Sequence, residues 1–167
     1  FCPLFSGRDG NCCFLEVDNK RYLIDAGFSG KKIESNLKHL GVDPSTIDLI
    51  FLTHEHIDHI RGAGVLSRRY DIKICSNVET LTAGASKLGK IKDENIVVIG
   101  TEKKHRFSLF DLYTLEISHD CARGMGFVFN TDYGKVSLLT DTGIITNHMK
   151  EKIKGSKIFY FEANHDL

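Results

Sequence analysis

Apolar stretches separated by polar turns predict a series of short β-strands along the chain. Two of them, 11–17 and 21–25, flank the polar turn Asp18-Asn19-Lys20, a pattern typical of a β-hairpin. The continuous apolar run Leu49-Ile50-Phe51-Leu52 has the length and composition of a buried strand. Further strands are predicted at 72–75, 96–99, 107–130 with a break at 120–124, 135–140 and 157–161.

Apolar residues at helical spacing predict the helices between these strands. In 30–41, Ile33, Leu37 and Leu40 recur every three or four residues, and Gly41 provides a stop. The lysines of this segment then fall on a solvated outer face. Other helices are predicted at 60–70, 79–88 and 144–153. Strands that alternate with helices after an initial hairpin favour an α/β fold with a mixed sheet.

The strongest chemical signal follows the apolar run that ends at Leu52. His54 and His56 are two residues apart, so both imidazoles project to the same side while the backbone stays extended. Asp58 and His59 come where the next helix is expected to begin, so the turn supplies a second ligand pair at a new angle. A solvated, His-rich loop is the alternative. The position directly after a strand, where α/β sheets place their sites, favours a metal site.

Ligand chemistry narrows the choice of metal and raises two further candidates. Imidazole with carboxylate suits zinc, with manganese or iron next. His119 ends the apolar stretch 115–119, and Asp141 ends 136–141. Taken alone, His119 is more typical of a hydrogen-bonded surface or core residue than of a ligand, and Asp141 fits a helix N-cap equally well. Cys121 lies close to His119 in the sequence, but a small buried thiol is its expected role.

The motif TH-x-H-x-DH at 53–59 resembles the metal motif of the metallo-β-lactamase superfamily. Other stretches are similar, in order, to segments of its YycJ/VicX-type subfamily: FSG with GNC at 5–12, LIDAG at 23–27, SHDCA with GF at 118–127, TDTG at 140–143 and EANHD at 162–166. The resemblance implies an αβ/βα sandwich over residues 1–167, in which mixed β-sheets are flanked by helices and a mono- or dinuclear metal site lies along one edge.

The resemblance also implies a role for each ligand candidate. Two divalent metal ions are expected, with zinc preferred. The implied first site has three ligands that leave a tetrahedral position open: His54, His56 and His119. The implied second site has three ligands of which the last can bridge both ions: Asp58, His59 and Asp141.

Three residues have implied roles beyond ligation. Asp25, in LIDAG, is expected to orient a ligand histidine, although a turn-initiating Asp before Gly is an equally good interpretation. Asp58 and His165 are the candidate catalytic residues, and His165 is the expected proton donor to the leaving oxygen.

Two departures from the subfamily pattern bear on the site. Arg8 and Asp9 stand where the subfamily has small or polar residues, which alters the loop beside the site without removing a ligand. The last metal motif of the subfamily is a His in a GHLS-like segment downstream of ESNHD, whereas this chain stops at Leu167. We therefore expect the C-terminal part, with that ligand, to be missing.

Composition fits an ordinary globular protein. The 167 residues are enough for one domain, and 41% of them are apolar and 26% charged. Lys plus Arg and Asp plus Glu number 22 each, so the net charge exerts no global pull toward nucleic acid. Five cysteines without a C-x-x-C motif indicate reduced thiols. The chain begins at Phe1 without a signal-peptide or membrane-spanning pattern, so we expect a cytoplasmic protein.

Function follows from the ligand set and the resemblance together. A two-metal site makes hydroxide available near neutral pH for attack on phosphorus or on a carbonyl. The resemblance implies a phosphodiesterase on nucleic acid, most specifically a 5′-to-3′ exonuclease on DNA. The basic stretches 87–92, 103–106 and 150–157 are candidates for phosphate contacts, although each is more typical of a solvated face.

Three alternatives belong to other classes of function. A small-ester or thioester hydrolase of the same fold would use the same metals in a narrow pocket. A non-catalytic metal-binding or regulatory fragment would lack the last ligand. A flavodiiron-type oxidoreductase is disfavoured, because such proteins usually have Glu at the position of His56 and this chain has no flavin module.

Overall fold

The structure, a computed structural model, describes residues 1–7 and 9–162. Its strands are β1 (Cys2–Phe5), β2 (Cys12–Val17), β3 (Lys20–Ile24), β4 (Leu49–Phe51), β5 (Lys73–Ser76), β6 (Ile96–Val98), β7 (Lys104–Arg106), β8 (Phe110–Glu116), β9 (Met125–Thr131), β10 (Gly134–Thr140) and β11 (Ile158–Glu162). Its helices are α1 (Gly30–His39), α2 (Ile57–Ile60), α3 (Ala63–Tyr70), α4 (Val78–Ala83), α5 (Ala85–Leu88) and α6 (Asn147–Ile153), with 3₁₀ turns at Pro44–Thr46 and Asp93–Asn95.

The strands form two mixed sheets. The first has the order β1-β2-β3-β4-β5-β6 and changes from antiparallel pairs to parallel pairs at β3. The second has the order β11-β10-β9-β8-β7 and is antiparallel except for the pair β10 and β11. Parallel pairs in both sheets place several strand ends on one edge of the molecule, where ligands from both sheets can meet.

Side-chain alternation along the strands builds three apolar layers. In β4, Ile50 faces the helices α1 and α3, whereas Phe51 faces the second sheet. On the far side of the second sheet, Val128 and Leu139 pack with Met149 of α6. Helices therefore cover the outer faces of two stacked sheets. The αβ/βα sandwich that the sequence predicted is confirmed.

Most predicted elements are present within one or two residues, and the differences have local causes. The helix predicted at 60–70 starts only at Ala63, as α3, and the separate turn α2 precedes it, because the N–H of Gly62 donates to the carbonyl oxygen of Ala26 at 2.7 Å. A Cβ at Gly62 would lie 2.4 Å from the carbonyl oxygen of Phe28, so only glycine allows this contact. The predicted helix 79–88 is divided, at Gly84. Strands β1 and β7 were not predicted, because both are short edge strands without an apolar alternation.

Phe51 is the centre of the layer between the sheets. Its fully buried ring lies 5.4 Å from the Phe129 ring and 5.7 Å from the Phe127 ring, centroid to centroid. Three more rings surround it: Tyr22, Phe107 and Phe110. Because these rings come from both sheets, Phe51 holds the two sheets together two residues before the histidine motif begins.

We expect Phe51→Ala to lower the free energy of unfolding by about 3–5 kcal/mol, because the lost ring leaves a cavity between two sheets that cannot collapse fully. Urea denaturation followed by circular dichroism measures the change. The control Val98→Ala alters a side chain that is 60% exposed, and we expect less than about 0.5 kcal/mol there. Equal costs for the two variants would contradict the central packing role of Phe51.

Candidate metal centre

Four chain segments that follow strands meet at one edge of the sandwich. Asp25 follows β3, and 53–56 follows β4, both from the first sheet. The segment 117–124 follows β8, and Asp141 follows β10, both from the second sheet. The candidate ligands therefore come from residues that are far apart in the chain, and the stacking of the sheets brings them together.

Three histidines form the first candidate metal group. One ring nitrogen each of His54, His56 and His119 lies within 4.8 Å of the others. Nδ1 of His56 is 3.0 Å from Nε2 of His119. The three rings are separated by 4.8–4.9 Å between centroids and stand nearly perpendicular to one another. The predicted first ligand set is thus brought together in the fold.

The second candidate group surrounds His59. Nε2 of His59 is 2.8 Å from Oδ2 of Asp141 and 3.5 Å from Oδ2 of Asp58, so both carboxylates of the predicted second set lie beside His59. The compact group of possible ligand atoms is formed by His54, His59 and Asp141, because Nε2 of His54 is 3.9 Å from the same Asp141 oxygen, and Asp58 lies outside that group. His54 and Asp141 therefore lie between the two groups.

The hydrogen bonds of Thr53 fix the tautomer of His54. The hydroxyl of Thr53 donates its single proton to Asp25, at 2.8 Å from Oδ2. The contact of 3.0 Å between that hydroxyl and Nδ1 of His54 then requires the imidazole to donate. Nε2 of His54 is left with a lone pair that points into the group.

The surroundings of that lone pair show whether the site fits a metal ion. His54 is fully buried, and its Nε2 has no hydrogen-bond partner among the residues that the structure describes. A buried acceptor without a partner is costly, and a coordinated cation removes the cost. Burial, and next the neighbouring His59, hold the pKa of His54 well below its ordinary value. The imidazole is therefore neutral, which is the form that binds metals. The donor set fits zinc or a similar divalent ion.

The carboxylate of Asp25 links the two groups through hydrogen bonds to Thr53 and His59. It is 1% exposed and accepts bonds from the backbone N–H and the hydroxyl of Thr53, each at 2.8 Å. It also accepts from Nδ1 of His59 at 2.8 Å. The geometry is the one expected of a carboxylate that orients a ligand histidine.

The field around His59 favours a positive charge. Burial alone would lower the pKa of His59, but Asp25, Asp141 and Asp58 outweigh it and raise the pKa well above its ordinary value. In return, the hydrogen bond from His59 lowers the pKa of Asp58. A cation is therefore stabilised at this point, whether a proton or a metal ion carries the charge.

Close backbone packing fixes the motif helix α2. A Cβ at Gly27 would lie 1.6 Å from the carbonyl oxygen of Asp58, so the glycine allows direct contact with α2. The backbone N–H of Asn11 donates to the same oxygen at 2.7 Å, and its side-chain Nδ2 is 3.1 Å from Nε2 of His59. The loop before β2 and the LIDAG turn thus hold the backbone of α2 at Asp58, and Asn11 also contacts the ring of His59.

Sequence reasoning missed three residues beside the site. Asn11 and Glu162 lie in stretches that resemble subfamily motifs, but neither had a role assigned. The carbonyl oxygen of Glu162 accepts from the backbone N–H of Asp141 at 3.1 Å, and burial followed by Asp141 raises the pKa of its carboxyl. Glu55 is buried between two ligands, and the alternation of an extended chain could have shown that it points away from them.

Other candidates fall outside the two groups. His165 lies outside the residues that the structure describes. Cys121 is half-buried and belongs to neither group. Of the basic stretches, 87–92 touches the motif, because Nζ of Lys87 donates to the carbonyl oxygen of Glu55 at 2.7 Å. Within 1–7 and 9–162, no helix has the length and apolar character needed to cross a membrane.

Comparisons with known proteins agree with this geometry. Residues 6–130 match the profile of the Metallo-beta-lactamase superfamily. The chain is 36% identical over all of its 167 residues to exodeoxyribonuclease YycJ of Bacillus anthracis. It is 37% identical over 166 residues, 98% of the chain, to exodeoxyribonuclease WalJ of Streptococcus pneumoniae. The chain spans 63% and 62% of the lengths of these relatives.

Solved structures show the same fold at low sequence identity. A class B3 di-zinc metallo-β-lactamase from an Alaskan soil metagenome superposes with a TM-score of 0.70 at 14% identity, over 92% of this chain and 74% of that one. This likeness supports the fold alone. The profile match shows that the chain belongs to the metallo-β-lactamase superfamily, and the whole-chain identity to YycJ and WalJ makes it similar to the YycJ-type proteins of that superfamily.

Proposed function

We propose that the protein is a hydrolase that uses two divalent metal ions to cleave phosphodiester bonds in DNA. The observation that carries the proposal is the buried Nε2 of His54, which has no hydrogen-bond partner within residues 1–7 and 9–162 and points between two groups of candidate histidine and carboxylate ligands. A hydrogen-bonded core histidine would have a partner for this atom. The names of the relatives YycJ and WalJ support DNA as the substrate and an exonuclease as the activity.

The proposed ligand sets rest on the two groups together with the contact of 3.5 Å between Asp58 and His59. His54, His56 and His119 would hold one ion, and Asp58, His59 and Asp141 would hold the other. Asp141 would bridge them, because its Oδ2 is 2.8 Å from Nε2 of His59 and 3.9 Å from Nε2 of His54. Zinc suits these ligands best, with manganese or iron as alternatives.

The candidate ligands lie on two sides of the site, a buried closed side and a partly exposed open side. When bound, the ions supply positive charge to the scissile phosphate and make hydroxide available near neutral pH. His54 and His59 form the closed side, where both are fully buried. Asp58 and His119 keep 29% and 23% of their side chains exposed, so the substrate approaches from their side. Asp25 keeps His59 in its binding tautomer during turnover.

Several finer points belong to the same proposal. Residues 1–167 would form one domain, which acts in the cytoplasm on DNA. Degradation would run from the 5′ end toward the 3′ end. His165 would donate a proton to the leaving oxygen, as its place in the EANHD stretch suggests.

Degradation of end-labelled DNA tests the activity directly. With zinc or manganese present, we expect linear DNA labelled at its 5′ end to lose the label as mononucleotides before DNA labelled at its 3′ end does. A chelator should stop the reaction, and excess metal should restore it. Intact DNA together with rapid hydrolysis of a small ester or thioester would instead support the alternative hydrolase.

We expect Asp58→Ala to lower the rate of DNA hydrolysis at least about 10²–10³-fold, because it removes a ligand and several kcal/mol of charge stabilisation in the transition state. Circular dichroism and the thermal midpoint should stay close to the wild type, since Asp58 is partly exposed. The matched control is Asp93→Ala, an exposed acid in a 3₁₀ turn away from the site, which should keep full activity. Unchanged turnover in the Asp58 variant would refute the proposed site.

Elemental analysis tests the first ligand set. We expect His119→Ala to retain about one metal ion per chain fewer than the wild-type protein, because a site with two remaining histidines binds too weakly to survive dialysis. The matched control is His148→Ala, whose exposed imidazole pairs with Glu102 at 3.0 Å. If His119→Ala retains as much metal as His148→Ala, then His119 is not a ligand.

A further inference from the structure

We infer that Glu55 is a positioning residue that sets the place of His119 against His54 and His56. It would do so by holding the loop 117–124 that carries His119. The inference rests on the proposed first metal site, and it names a residue between two ligands that has no ligand role of its own.

Local geometry turns Glu55 away from the metal group. Residues that alternate along an extended chain point to opposite sides, so Glu55 points opposite to His54 and His56. Its side chain is 9% exposed, and Oε1 accepts the backbone N–H of Ala122 at 2.8 Å. This bond joins residues 67 positions apart in the chain. The segment that supplies two ligands is thereby bonded directly to the loop that supplies the third.

Two hydrogen bonds hold the backbone on either side of His119, and the bond from Ala122 to Glu55 is one of them. On the other side, the carbonyl oxygen of Ser118 accepts the backbone N–H of Gly143 at 3.0 Å. Between these two points the loop is largely exposed, and the side chain of Asp120 is 89% exposed. The place of the His119 imidazole in such an exposed stretch depends on the hydrogen bonds that hold its backbone, which include the bond of 2.7 Å from the Asn77 side chain to the next carbonyl oxygen, that of Arg123.

Glu55 is itself held from a second direction. Nζ of Lys87 in α5 donates to its carbonyl oxygen at 2.7 Å. A Cβ at Gly84 would approach its Cβ to 3.4 Å, so α4 and α5 pack closely behind the motif. The backbone of Glu55 is thus fixed against the helices while its side chain reaches the loop.

Stability alone does not account for a carboxylate at this position. Oε2 of Glu55 is buried and has no hydrogen-bond partner among the residues that the structure describes. A half-satisfied buried carboxylate costs free energy, and an apolar residue of similar size would avoid the cost. What the carboxylate provides is one hydrogen bond to the backbone beside His119.

Side-chain ion pairs on the same loop provide a matched control. Arg123 contacts Glu79 at 3.1 Å and Glu116 at 3.0 Å, but these ion pairs are exposed. Exposed ion pairs contribute little to stability, and both of these reach the loop through the side chain of Arg123, which follows Ala122. Glu79→Ala therefore removes another carboxylate contact to the same loop, an ion pair, without touching the two backbone hydrogen bonds on either side of His119.

Chelator competition with zinc tests the inference on the wild-type protein and the three variants Glu55→Ala, Glu55→Gln and Glu79→Ala. The binding step that is lost in His119→Ala identifies the first site. We expect Glu55→Ala to weaken that step about 10–100-fold, as loss of a ligand-orienting partner does. Glu55→Gln should stay within about 3-fold of the wild type, because its amide oxygen still accepts from Ala122. Glu79→Ala should also stay within about 3-fold.

Spectra of the cobalt-loaded proteins separate positioning from general loss of stability. We expect the visible absorption bands of Co²⁺ in the first site to change in Glu55→Ala and to remain wild-type in Glu55→Gln. Thermal midpoints of the metal-free proteins check that all variants are folded. Wild-type affinity and spectrum in Glu55→Ala would overturn the inference while leaving the metal centre intact. So would an equal loss in Glu79→Ala, or failure of Glu55→Gln to restore binding. Absence of metal from the wild-type protein would overturn the metal centre itself.

Discussion

One buried carboxylate, that of Asp25, determines how the metal motif is held. It accepts from the backbone and the hydroxyl of Thr53 and from the ring of His59, each at 2.8 Å. Its own backbone N–H donates to the carbonyl oxygen of Phe51 at 2.8 Å. The end of β3, the end of β4 and helix α2 therefore share a single anion. Because Thr53 gives its proton to this anion, His54 must donate through Nδ1, and the tautomers of the two candidate ligands His54 and His59 follow from one interaction.

The rest of the fold brings the second sheet to that anchored motif. His119 and Asp141 leave strands of the second sheet, so their distance from the motif depends on the packing of Phe51 against rings from both sheets. Asp141 adopts a left-handed backbone conformation with φ of 52° at the end of β10. Its backbone N–H is held by the carbonyl oxygen of Glu162 at 3.1 Å. The parallel pair β10 and β11 thus directs the carboxylate of Asp141 toward His59 and His54.

The sequence carried the local part of this arrangement. Period-two spacing predicted that His54 and His56 share a side, and the apolar run before them predicted β4, because both depend only on neighbours in the chain. The resemblance to a known family supplied His119 and Asp141, whose approach depends on sheet stacking that no local pattern encodes. Sequence reasoning could not find the bond from Glu55 to Ala122, because nothing in either segment marks the other as its partner. Strand β7 (Lys104–Arg106) was not predicted because it has no apolar alternation: exposed basic residues flank the half-buried His105, and the strand pairs with β8 through its backbone.

The two ligand groups differ in what holds a cation, and this difference explains why loop position matters more for one of them. Around His59, carboxylates on three sides stabilise positive charge even when the distances change by a few tenths of an ångström, because Coulomb energy falls slowly with distance. The group of His54, His56 and His119 consists of imidazoles, which bind through lone pairs that must point at one spot. His119 lies on an exposed loop, whereas the other two histidines follow a buried strand. The loop of His119 is the least buried of these segments, so its backbone must be held for the imidazole to point at the ion. The bond from Ala122 to Glu55 holds the backbone at that place.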